Sequence, residues 1–122
     1  MRVLLGIGGS DDSIRALDRT VRRAAEAGDE LTIAIFDNPD SEVTPAELER
    51  RARETIEGST IEASVRTIEG DPGSRLLEIA ETEGFEEIVL GGGNRSPMGK
   101  IQIGRVAEFV LLNAHTTVTL VR

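Results

Sequence analysis

Three consecutive glycines, Gly91–Gly93, follow the apolar run Ile88–Leu90 and open a polar loop from Asn94 to Lys100. Behind them the run from Ile101 to Ala114, around Gly104, reads as a helix. A strand, a glycine loop and a helix start are the parts of a phosphate cradle. Glycines let backbone N–H groups approach an anion closely, and a helix N-terminus adds its dipole. Gly91, Gly93 and Asn94, with Gly104, Arg105 and Val106 at the helix opening, are therefore candidates to hold phosphates. A second glycine-rich turn, around Gly6, Gly8 and Gly9, closes the first apolar run of the chain. Tight turns with no ligand would use the same glycines, and a lone glycine loop is a weak motif.

Other constellations are thinner. Asp11 and Asp12 could form an acidic pair that accepts a phosphoryl group or a metal. That chemistry also needs a lysine after the last strand, and none stands near Val118. Helix capping is the better role for Asp11, Asp12 or Ser13. Ser10 and Ser13 have no histidine close in sequence, and the single His115 forms no triad. His115 falls at the end of the last helix, where a cation is favoured by roughly 0.3–1 kcal/mol. Cysteine is absent, which excludes disulfides and thiolate chemistry, and one histidine makes a zinc site a poor prospect. With no evident general base, no catalytic residue is assigned and turnover is expected to be slow or absent.

Composition narrows the class further. The 122 residues suit one domain, 1–122, with 39% apolar and 30% charged residues, an ordinary globular balance. No apolar run approaches the ~20 residues that span a bilayer, and the N-terminus enters an apolar strand directly, so a cytoplasmic protein is expected. The net charge of −8 argues against nucleic-acid binding, which needs a cationic surface. Lys100 is the only lysine among 14 basic residues, and this acidic, arginine-biased composition points to a salt-rich cytoplasm.

The elements that must position the glycine turns are legible from periodicity. Arg2–Ile7 is too continuously apolar for a half-exposed strand and reads as a buried parallel one. A helix with Ile14, Leu17, Val21, Ala24 and Ala25 on one side runs to Ala27, and Gly28 ends it. Leu31–Phe36 is the second strand. Thr44, Pro45 and Glu47 mark a helix start with a capping box, and that helix runs to Glu57 with a thin apolar face. Thr60–Ile68 alternates as a third strand. Asp71 caps and Pro72 begins a helix that buries Leu76, Leu77, Ile79 and Ala80 and closes at Gly84. Glu86–Leu90 and Thr117–Arg122 are the fourth and fifth strands. Arg22–Arg23 and Arg50–Arg51–Arg53 read as solvated helix faces pairing with nearby glutamates. Strict alternation of strand and helix predicts an α/β, doubly wound three-layer sandwich with a mostly parallel sheet. In strand order 3-2-1-4-5 the winding reverses between strands one and four, where such sheets bind ligands. Both glycine turns would then lie side by side at that switch point.

The chain resembles the universal stress protein family over essentially its whole length. Val3-Leu4-Leu5-Gly6-Ile7-Gly8-Gly9-Ser10 resembles the family's first strand and turn. Ile68–Pro72 followed by Leu76–Ala80 resembles its Gly-Asp-Pro helix entry, and Glu86–Gly91 the strand before its loop. Arg95–Lys100 is similar to the loop of its salt-adapted archaeal members, and Val110–Ala114 and Val118–Val121 to its final helix and strand. The resemblance implies an adenine nucleotide alpha hydrolase-like fold and an adenine nucleotide ligand, ATP with Mg²⁺ or AMP. The family's motif Gly-x2-Gly-x9-Gly-Ser/Thr maps onto Gly91, Asn94, Gly104 and Arg105. Two of the four positions therefore differ, Asn94 being tolerable because Asn visits positive φ readily. Gly8 stands where the family has an aspartate that contacts the nucleoside. Ile35 matches the apolar position beside the adenine, with Leu90 as a second wall and Gly6 on the same turn. The resemblance also implies a homodimer through the last strand, at Val118 and Leu120. The alternative is a homodimeric interaction protein with a degenerate, ligand-free site.

Overall fold

The structure, a computed structural model, describes residues 1–92, 94–95 and 101–122, with the backbone alone at 94, 95, 101 and 102. The elements in chain order are β1 (Arg2–Ile7), α1 (Asp11–Ala27), β2 (Glu30–Ile35), α2 (Pro45–Glu57), β3 (Ala63–Thr67) and α3 (Pro72–Thr82). They continue as β4 (Glu87–Gly91), β5 (Asn94–Arg95), β6 (Ile101–Gln102), α4 (Arg105–Asn113) and β7 (Thr117–Val121). The main sheet has the order β3-β2-β1-β4-β7, the expected 3-2-1-4-5 of the five principal strands, and all four pairings are parallel.

Alternation along each strand sorts the core into two halves, because successive side chains leave a strand on opposite faces. Val3, Leu5 and Ile7 of β1, Leu31, Ile33 and Ile35 of β2 and Val89 of β4 pack under α1 and α2. Leu4, Ala34, Phe36, Ile88 and Leu90 pack on the other face, against Leu76, Ile79 and Ala80 of α3 and Ala107 and Val110 of α4. Each fully buried Leu or Ile contributes roughly 1.5–3 kcal/mol relative to leaving it exposed. The helix α2 is held lightly, with only Leu48 and Ala52 buried, as its thin apolar face predicts.

Helix ends follow the capping chemistry, with one change. Thr44 accepts the Glu47 N–H at 3.2 Å and Asp71 accepts the Ser74 N–H at 3.0 Å. At α1 the cap is Ser10, not Asp11, Asp12 or Ser13. Ser10 is extended (φ −71, ψ 160) and its hydroxyl accepts the Ser13 N–H at 3.4 Å, so the aspartates fall inside the first turn, where the dipole favours them. Gly28 closes α1 at φ 72, in the left-handed region that glycine enters without a steric penalty.

Three further expectations are corrected. The third strand is shorter, Ala63–Thr67. The last helix starts only at Arg105, because Ile101–Gln102 pairs antiparallel with Asn94–Arg95 to close a small hairpin before Gly104. Arg23 is exposed on α1, as expected, but its partner is Glu87 of β4 and not a glutamate nearby in sequence. Its guanidinium donates twice to Glu87, at 2.7 and 3.0 Å, and Thr119 Oγ1 donates to the same carboxylate at 2.5 Å. Glu87, only 3% exposed, thus ties α1 to β4 and β7 with its charge matched. Arg53–Glu49 and Arg50–Glu54 are the expected pairs one turn apart on α2. Among the described residues no helix is long and apolar enough to cross a membrane.

Candidate functional site

The carboxyl ends of β1 and β4 diverge because the crossovers from them go to opposite faces of the sheet, and a cleft of about 1490 Å³ opens there. Gly6 is in register with Leu90, so the turn after β1 and the end of β4 meet. Of the residues singled out from sequence, Gly6, Gly8, Leu90, Gly91, Gly104, Arg105 and Val106 all line this cleft. Gly93 lies outside the described residues. Asn94 is extended in β5, so its tolerance of positive φ is not what that position requires.

Ile35 lies apart from the other candidates. It is in register with Ile7, fully buried on the α1 and α2 face, and takes no part in the cleft. The cleft is walled instead by the next residue, Phe36, and by Ile68 after β3. Strand parity could have shown this: Gly6 and Gly8 lie one and three positions from Leu5, hence on the face opposite Ile35.

The two motif glycines that flank the loop play different parts. A Cβ on Gly91 would stand 2.8 Å from the carbonyl carbon and from Oδ2 of Asp12. The space that glycine leaves at the end of β4 is therefore taken by the first turn of α1, which offers no room there for an anion. Gly104 is open, and a methyl group added to it would meet nothing within 4 Å. It is the N-cap of α4 and no side chain caps that helix. Among the described residues the N–H groups of the first turn of α4 have no side-chain acceptor, and residues 103–107 line the cleft. Arg105, the first residue of α4, is exposed and makes no ion pair among the described residues. A cation at a helix N-terminus opposes the macrodipole, so guanidinium and dipole add to make one positive end of the cleft. The residues present fit an anionic group at this end.

The opposite rim is negative. Asp37, Asp40, Glu69 and Asp71 line it, at the exits of β2 and β3. The Ser74 backbone N–H, and after it the Ser74 hydroxyl, hold the Asp71 carboxyl below the usual aspartate range. The turn after β1 is fixed by serines: Gly8 donates its N–H to Ser13 Oγ at 3.3 Å and Ser10 donates its hydroxyl to the same oxygen at 3.0 Å. Among the described residues no cluster of three ligating side chains could hold a metal ion.

Comparison with known proteins places these features in context. The model of the universal stress protein family matches residues 1–122. A universal stress protein of Methanocaldococcus jannaschii is 26% identical over 138 residues, covering 99% of this chain and 81% of the relative. Among solved structures, a universal stress protein from Archaeoglobus fulgidus superposes with a TM-score of 0.81 at 21% identity, covering 100% of this chain and 98% of that one. A universal stress protein in complex with cAMP gives 0.77 at 24% identity, covering 100% and 97%. A structure from Archaeoglobus fulgidus in complex with dAMP gives 0.76 at 18% identity, covering 100% and 98%.

Proposed function

Because the chain belongs to the universal stress protein family, we propose that it is a binding module that holds an adenine nucleotide in the cleft between β1 and β4. The phosphate end lies toward Gly104, Arg105 and Val106. The base lies toward the apolar wall of Phe36, Ile68 and Leu90, beside Gly8. The observation that carries this reading is the opening of α4: a helix N-terminus with no side-chain cap, an open glycine and a guanidinium with no ion pair among the described residues converge on one end of a cleft. Support comes also from similar proteins whose structures hold cAMP and dAMP. ATP would bring its Mg²⁺ on its own phosphates.

The module is proposed to bind without rapid turnover. Asp71 is engaged in capping α3, Asp12 is packed against Gly91, and His115 follows the end of α4 away from the cleft. Titration calorimetry with AMP, and with ATP plus Mg²⁺, tests the proposal. A saturable heat at submillimolar nucleotide is expected; no heat at millimolar nucleotide overturns it.

A second reading, homodimerisation through β7, is favoured by a separate observation. β7 is an edge strand whose Val118 and Leu120 are half-buried, and an unpaired apolar edge invites another chain. The two readings are compatible, and the second survives if no nucleotide binds.

A further inference from the structure

Gly8 is a glycine for reasons of space alone. Its φ lies outside the left-handed region, unlike that of Gly9 at φ 89, so its backbone would admit any residue. A Cβ at position 8 would nevertheless stand 2.2, 2.8 and 2.9 Å from Cε2, Cζ and Cδ2 of Phe36. The Phe36 ring occupies the volume into which any side chain at the end of β1 would extend. The ring has little freedom to leave. It is 8% exposed and belongs to the buried cluster of Leu76, Leu90 and Ile68. Its own backbone is pinned by the Phe36 N–H donating to the Ile7 carbonyl at 3.1 Å, and the strand beside it by the Ile68 N–H donating to the Ile35 carbonyl at 2.8 Å.

We infer that Gly8 and Phe36 form one steric unit that sets specificity in the cleft: it presents an aromatic ring, and no hydrogen-bonding side chain, where β1 ends. A flat apolar group is the moiety that gains from such a wall, since ring contacts reward planarity and a hydroxyl-rich group would lose its water there without a partner. On the nucleotide reading, on which this inference rests, that moiety is the base. The unit would therefore read the base by contact with the ring, and the selectivity of the cleft for a nucleotide over its sugar phosphate would reside in Phe36.

The test is a double-mutant cycle of Gly8→Ala and Phe36→Ala, with Phe36→Leu as a variant that keeps the core filled. AMP and ribose 5-phosphate are titrated into each protein, and Tm is recorded for each. The unaltered chain should prefer AMP by at least tenfold. Phe36→Ala and Phe36→Leu should weaken AMP about tenfold and leave ribose 5-phosphate unchanged, a loss in line with that of an aromatic contact to a base. Gly8→Ala should weaken AMP and lower Tm with the ring present, and do neither once Phe36 is Ala. The inference is overturned if Gly8→Ala leaves both AMP affinity and Tm unaltered, if its effect is equal with and without the ring, or if the preference for AMP survives loss of the ring. Failure of the underlying reading looks different: the unaltered chain then binds no AMP, while the Tm cycle alone still reports the steric unit.

Discussion

Gly91 and Gly104 belong to one glycine-bearing stretch, yet their surroundings demand opposite responses to the same substitution. At Gly91→Ala the new methyl would sit 2.8 Å from the carbonyl carbon of Asp12 and 2.8 Å from its Oδ2. A backbone atom cannot rotate away, so the first turn of α1 or the end of β4 must shift. Overpacking of this kind costs about 1–3 kcal/mol. With an unfolding entropy of about 2.1 cal/mol/K per residue, a chain of this length should lose about 4–12 °C in Tm. At Gly104→Ala the methyl meets nothing within 4 Å, and φ −66 is open to every residue. The stiffer unfolded chain gains about 0.4–1 kcal/mol, and this roughly offsets the poorer N-cap that alanine makes. The net change in Tm should stay within about 3 °C. Differential scanning calorimetry of the two variants decides the matter. Equal losses at both positions, or a larger loss at Gly104, would refute the assignment of Gly91 to packing and of Gly104 to the open end of the cleft.

Three other outcomes are expected. Glu87→Gln removes the buried anion that the half-exposed Arg23 and Thr119 share and should cost about 1–3 kcal/mol, read from denaturant melts, without altering nucleotide affinity. Asp71 has a folded-state pKa below its ordinary value, so its contribution to stability is present above the usual aspartate range and is lost as pH falls through the lowered value. The gap in Tm between the unaltered chain and Asp71→Ala should accordingly be full at pH 7 and close on acidification below the ordinary aspartate pKa. Sedimentation equilibrium should give a dimer for the unaltered chain and a monomer for Val118→Lys, since a lysine on an edge strand blocks pairing. A monomeric unaltered chain would remove the dimer proposal.

Most of the fold was legible because its signals are local. Thr44-Pro45 and Asp71-Pro72 announce two helix starts, Gly28 ends a third element, and the alternation of strand and helix leaves few topologies. The cap at Ser10 was missed because Asp11, Asp12 and Ser13 are equally good capping residues, and only the extended backbone of Ser10 distinguishes it. The start of α4 was drawn too early because Ile101 and Ile103 continue an apolar pattern that pairing with Asn94 and Arg95 interrupts. At the site, the meeting of the two glycine turns was readable from strand order. The face of the sheet is harder to read, for Ile35 packs toward α1 and α2 while its neighbour Phe36 lines the cleft. The distinct tasks of Gly91 and Gly104 were not readable at all, since each depends on which residue of another element comes near. The partnership of Arg23 with Glu87 was hidden for the same reason, being 64 residues distant in sequence.

The central claim is that the cleft between β1 and β4 takes an adenine nucleotide with its phosphate at the opening of α4. Amide chemical shifts measured by NMR during addition of AMP test it most directly. The account predicts saturable shifts concentrated at Gly6, Gly8 and Gly104–Ala107, with Ile33 and Ala52 on the far side of the sheet undisturbed. An unchanged spectrum at millimolar AMP, or shifts confined to residues outside the cleft, would contradict it.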